Sequence, residues 1–295
     1  MPVAATALGR FSILALALAL GACAPQSLLL NGVADQLAAQ DDAGEDDLVL
    51  ARDASAFYLK LSESILARTP DHVGLAAAVA GGYTQYAYAF VAFEADRIEA
   101  RDAQAAKRLR ERAARLYRRG QAHALRALER RHAGLRADLA DGRRTLPRLS
   151  TDEIALAYWA AAAWGGAISL SKGDPEAVAD LPQVLRLAGL AWRSDPDHGQ
   201  GALASLMASL ELARPGGSAG EAENYLVRAI AAGRDRSAGP YLTRAEGLAE
   251  PAGDRARFER ELRRALEVAA AHPGLTNAAM AERARWLLDT ADDRF

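Results

Sequence analysis

An all-α fold is what this sequence predicts, and three observations carry the prediction. Alanine, leucine and arginine dominate while β-branched residues are scarce, which favours helix over sheet. Apolar residues recur at spacings of three and four, and no segment alternates long enough to make a convincing strand. Third, the stretch Ile154 to Leu170, IALAYWAAAAWGGAISL, carries no charge and is apolar on every side. Such a helix lies inside a protein or a membrane. With Gly165-Gly166 and a tyrosine within it, the stretch is short for a bilayer span and reads as a buried central helix. Thr151, ahead of Asp152 and Glu153, is its expected N-cap.

The N-terminus reads as a targeting segment. Arg10 precedes the apolar run Phe11 to Leu20, which ends in Leu20-Gly21-Ala22-Cys23, the layout of a secretory signal over residues 1–22. Leu-Gly-Ala-Cys resembles the bacterial lipobox, which implies that Cys23 is diacylated and becomes the new N-terminus. Cys23 is the single cysteine, so no internal disulfide forms. Several acyl chains anchor a protein firmly where one does not, so the expected location is a membrane of the bacterial envelope. Ala24 in place of aspartate resembles the outer-membrane sorting pattern.

Residues 23–47 read as a lipidated N-terminus and tether. Leu28, Leu29, Val33 and Leu37 give a short helical pattern before the acidic run Asp41 to Asp47 interrupts it as a solvated turn. Residues 48–295 read as one helical domain. Phe57, Leu61, Ile65 and Leu66 mark the inner face of a first long helix that stops before Pro70. His72 to Arg97 carries the stripe Tyr83, Tyr86, Phe90 and Phe93. The next helix, Ala103 to about His132, sets Leu109, Ala113, Leu116, Gly120, Ala124 and Ala127 opposite a side thick with arginine.

A polar break, Asp141 to Ser150, leads into the central helix. Beyond it, helices are predicted over Leu181–Ser194, Gln200–Ala213, Glu221–Ala232, Tyr241–Ala249, Arg255–Ala271 and Asn277–Ala291. Thr69-Pro70-Asp71-His72 and Asp195-Pro196-Asp197-His198 each close one helix and open the next, with the aspartate after the proline as the expected cap. Helix, proline turn and small-residue helix is the grammar of tetratricopeptide (TPR) arrays, although no unit here fits the roughly 34-residue consensus. The expectation is a degenerate TPR-like helix-pair solenoid packed around the central apolar helix.

The motifs argue against catalysis. Gly216 to Gly220 matches G-x-S-x-G, but that elbow needs a strand before Ser218, and here a helix precedes it; Ser218 with Glu221 reads as a capping box. The five histidines are scattered without metal-ligand spacing, and no phosphate-binding glycine loop occurs, so no metal or cofactor is expected. The net charge of -2 gives no preference for nucleic acid. The basic run from Lys107 to Arg148 is interleaved with acids and reads as a solvated or protein-contact face, with anionic lipid as the other option. Tyr83, Tyr86, Tyr158, Trp159 and Trp164 are the candidate lining of a ligand cleft, because aromatics with a polar edge beside small residues line grooves between helices. Trp164, next to Gly165-Gly166, is expected nearest to it.

Four segments, in order, resemble one known family. They are GGYTQYAYAFVAFEAD (Gly81 to Asp96), ARLYRRGQAHALRALE (Ala114 to Glu129), AYWAAAAWGGAISLSKGDPEAVADLP (Ala157 to Pro182) and AMAERARWLL (Ala279 to Leu288). With the lipobox they are similar to the TatT family, the T component of tripartite ATP-independent periplasmic (TRAP) transporters. The resemblance implies a periplasm-facing lipoprotein of cryptic TPR-like pairs, assembled as a homotrimer and not an enzyme. It also implies docking of a periplasmic substrate-binding protein, the P component, and a cleft or pore that meets that partner's small organic or hydrophobic ligand. A generic helical scaffold of the envelope is the alternative from the residues alone. An envelope hydrolase is a second, requiring a reactive Ser218.

Overall fold

The computed structural model describes residues 24–39 and 45–295. Leu20 to Cys23, with the lipidation site, lies outside them. Helices α1 (Ala24–Ala38) and α2 (Leu48–Arg68) come first. In α3, Val73–Tyr86 continues through a π turn, Ala87–Ala92, into Phe93–Ile98. Then follow α4 (Ala103–Arg131), the short α5 (Leu135–Ala140) and α6 (Thr151–Ser169). After these come α7 (Pro175–Ala179), α8 (Leu181–Ser194), α9 (Ala202–Ala213) and α10 (Ala219–Ala232). In α11, Gly239–Arg244 runs into a second π turn, Ala245–Ala249. Last are α12 (Arg255–Ala271) and α13 (Leu275–Asp289). No strand occurs among the described residues, so the chain is all-α.

Side chains fix where these helices start. Asp47, Asp102 and Asp254 accept backbone N–H groups in the first turns of α2, α4 and α12, satisfying donors that have no partner within the helix. The cap of α6 is Ser150, not Thr151. The Ser150 N–H donates to Glu153 at 2.8 Å, completing a capping box that must be counted from Ser150. Two further caps differ from expectation. Asp71 leaves α3 to His72, whose Nδ1 accepts the Leu75 N–H at 3.0 Å, and Asp197 does not cap α9, which starts from Gly201. The box at Ser218 is half formed, since the Ser218 N–H donates to Glu211 of the preceding helix.

The core forms around α6, which lies against α3, α4 and α8. Ala157, Ala160, Ala161 and Ala163 are fully buried, and such small side chains let helix axes come close. Two glycines permit close approaches here. A Cβ on Gly120 would stand 2.8 Å from the Ala80 carbonyl oxygen, and one on Gly166 would stand 2.7 Å from the Tyr117 ring. A second core, built on Phe258, Leu262 and Ala265, joins α11, α12 and α13. The inner face of α2 differs from expectation: Leu66 is buried, but Phe57 is 67% exposed and Ala51 takes the inward position. The ring of Phe57 meets that of Tyr58 edge-on, outside the core.

The last helix returns to the first ones. Arg283 of α13 forms a bidentate pair with Glu246 and a 3.1 Å bond to Asp96 of α3, with the rings of Tyr88, Phe93 and Trp286 around it. Glu246 and Tyr88 each lie within one of the two π turns. The Phe93 and Trp286 rings meet edge to face at 5.6 Å. This seam brings α13 beside α2, and the site forms there.

Candidate functional site

Between α2 and the body lies a cavity of about 620 Å³. Its shape follows from Gly81-Gly82 in α3. A Cβ on Gly81 would sit 2.6 Å from the Trp159 ring of α6, and one on Gly82 would sit 2.5 Å from the Leu59 side chain of α2. The two glycines therefore seat one wall residue each. Tyr86, Tyr88 and Phe90 of α3 continue the lining, and Ala279 and Met280 of α13 close it at the seam. Ser55, Ser62, Gln85 and Thr276 supply scattered polar groups; among the described residues the charged one on the lining is Glu45, and no Lys, Arg or His lines it. Burial pushes the Tyr88 hydroxyl up to about 12, so it stays a neutral phenol, 3.9 Å from the Met280 sulfur.

A wider recess of about 1050 Å³ shares Ala89, Phe90 and Ala279 with this cavity. It is lined instead by charge, with Arg52, Glu94, Arg97, Glu282 and Arg285 among its residues. The two spaces lie side by side along the meeting of α2, α3 and α13.

A carboxylate pins the far half of α2 to the body. Glu63 accepts from Lys60 at 2.7 Å, from Arg119 Nε at 2.6 Å, from His123 Nε2 at 2.8 Å and from the Tyr83 hydroxyl at 3.2 Å. Burial alone would raise this carboxyl, but the bonds from Arg119, Lys60 and His123 outweigh it and hold it well below the usual range. Arg126 donates to His123 Nδ1, so the neutral ring donates to Glu63 through Nε2. Burial also lowers the pKa of His123.

Of the aromatics singled out in the sequence, Tyr86 and Trp159 line the cavity. Tyr83, Tyr158 and Trp164 do not. Tyr83 is buried beneath α2, stacked on His123 and bonded to Glu63, with burial raising its hydroxyl to about 12. Tyr158 lies against the rings of Trp159 and His198, and desolvation lifts it to about 12. Trp164, expected nearest, is buried, with its Nε1 donating to Asp180 at 3.2 Å. The space beside Gly166 is filled by Tyr117, so the local glycine pair opens nothing. Gly81-Gly82 and Leu59 were not anticipated, and their signal was the double glycine at the head of the aromatic stripe.

The four segments that carry the resemblance form the core, this cavity and the seam. A profile of the family described as TRAP transporter T-component matches residues 44–295. The chain belongs to that family. A protein of Treponema pallidum (strain Nichols), named only "Uncharacterized protein", is 28% identical over 268 residues, which are 85% of this chain and 81% of that one. As a T-component, the protein is part of a TRAP transport system. Among the described residues, no helix is long and apolar enough to cross a membrane, and no group of three His, Cys, Asp or Glu could hold a metal ion. Ser218 of this T-component caps α10 and follows a helix, not a strand.

Proposed function

We propose that this T-component is a lipoprotein, anchored through Cys23 and facing the periplasm, that docks the substrate-binding protein of its TRAP system and passes a small hydrophobic ligand through the α2–α3–α13 cavity. It works as a homotrimer of TPR-like helix pairs, a reading that rests on its family. One observation carries the ligand: an apolar cavity of about 620 Å³, walled by Trp159, Tyr86, Phe90 and Leu59, with no cationic side chain among the described residues of its lining. Pockets of this size and character bind small molecules. A free carboxylate inside would lose its water without gaining a counter-charge, so the lining favours a neutral or weakly polar molecule.

The test is extraction. Full-length protein purified from membranes, then denatured, should release a hydrophobic small molecule detectable by mass spectrometry. Ala279→Trp, which fills the cavity from α13, should lower the recovered amount about tenfold while leaving co-elution with the substrate-binding protein intact. Equal recovery from the filled variant would place any ligand elsewhere. No co-elution of the wild type with the substrate-binding protein would remove the docking half of the reading.

A further inference from the structure

The segment 141–150, between α5 and α6, has no regular structure, yet it is held firmly against α8. Arg186 does this. Its guanidinium donates to the carbonyl oxygens of Gly142 at 2.6 Å, Asp138 at 2.9 Å and Arg144 at 2.8 Å. All three acceptors are neutral and Nε is buried with no partner, so among the described residues the Arg186 charge meets no carboxylate. Beside it opens a recess of about 860 Å³. Four arginines line it, Arg144, Arg148, Arg186 and Arg193, and among the described residues no aspartate or glutamate does.

About half of the arginines among the described residues are held by a carboxylate, and these four are not. Arg110, Arg119, Arg214, Arg255, Arg264 and Arg283 each hold a carboxylate at hydrogen-bond distance. Among the described residues, Arg148 and Arg193 pair with no carboxylate, and Arg144 reaches Asp138 and Asp141 only at 3.9 and 3.8 Å. A concave surface lined by one sign of charge focuses its field outward and concentrates counter-ions. Guanidinium groups bind phosphate oxygens through paired, charge-assisted hydrogen bonds. Leu146 and Leu190 add an apolar floor on which a short carbon chain could lie.

We propose that the Arg144–Arg148–Arg186–Arg193 recess is a phosphate-binding site, separate from the apolar cavity and independent of what that cavity carries. Its ligand is a phosphate group, either free or borne by a lipid head.

The test titrates full-length protein in neutral detergent, by calorimetry at fixed ionic strength, with three probes. These are inorganic phosphate, short-chain phosphatidylglycerol below its micelle concentration, and polyglutamate. Wild type should bind one or both phosphate probes, and Arg148→Gln/Arg193→Gln should weaken that binding at least tenfold, since both changed side chains are exposed and unpaired. Binding of inorganic phosphate would identify the free ion as sufficient; binding of the lipid alone would identify the head group. The single variants Arg148→Gln and Arg193→Gln provide the same reading if the double variant unfolds. The proposal is overturned if neither phosphate probe binds, if binding survives these substitutions unchanged, or if polyglutamate binds and phosphate does not.

Discussion

Helices α6 and α13 both join distant parts of the chain, but by opposite means. Around α6 the contacts are mostly CH groups against CH groups, with Ala157, Ala160 and Ala161 fully buried, and carboxylates meet it at Glu153 in its first turn and at Asp180, which accepts from Trp164. Along α13 the contact with α3 is an ionic knot, Arg283 between Asp96 and Glu246 inside a ring of aromatics, with Arg97 and Glu282 3.4 Å apart nearby. An alanine interface loses nothing to salt. A partly buried ion pair repays its desolvation only when its geometry is kept, so it specifies how the ends meet more than how tightly. The cavity lies between these two regimes, with Trp159 from the first and Ala279 and Met280 from the second. One of its walls is permanent and the other is conditional.

Substitutions can break that contrast. Leu156→Ala, at a fully buried position of α6, should cost about 2–5 kcal/mol in denaturant unfolding, and the cost should not change between low and high salt. A loss under about 1 kcal/mol would mean that α6 is not the core. Arg283→Ala should cost about 3 kcal/mol, because it leaves Glu246 without its cation and Asp96 with Arg110 alone. Its signature is local: hydrogen exchange should accelerate in α13 and in α3 beyond Ala92 while α6 stays protected. Uniform acceleration would show that seam and core unfold as one.

Gly120→Ala should cost about 1–3 kcal/mol, since the added Cβ meets a backbone oxygen that cannot rotate away. A neutral outcome would show that the α3–α4 approach can relax. The smallest effect concerns pH. Burial alone would raise the Glu153 carboxyl, but the bonds from Ser150, Arg131 and His132 lower it to about 2. Its contribution is therefore complete above the unfolded-state value near 4.5 and is lost as pH falls toward about 2. Glu153→Gln should remove that part of the acid limb of a stability profile; an unchanged limb would assign it to other carboxylates.

How much of this was legible in the sequence depends on range. Helix existence was, because periodicity is local: α8 and α12 run over the expected residues, Leu181–Ser194 and Arg255–Ala271. The short helices α5 and α7 were not, since six and five residues carry too little pattern. Trp159 and Trp164 show the limit for the site. Both lie in the same alanine-rich stretch, and the nearer glycines pointed to Trp164. The glycine that admits a tryptophan to the cavity is Gly81, on another helix, and the space beside Gly166 belongs to Tyr117 on a third. Phe57 failed in the same way: a helical stripe says which residues share a face, not which part of that face finds a neighbour.

The two π turns make helix length a counted quantity. Each wide turn accommodates a surplus residue, and a residue added to or removed from a helix rotates everything beyond it by about 100°. Tyr88 and Glu246 lie within these turns, and both are directed at Arg283. Deleting one residue between Ala87 and Ala92 would let the backbone relax into ordinary helix and leave Phe93, Asp96 and Arg97 facing α13. The same deletion in the regular part of α3, Val73–Tyr86, would rotate the helix beyond it by about 100° unless the wide turn closed to compensate. Single-residue deletions should therefore be tolerated best at the two wide turns, where the surplus residue is held.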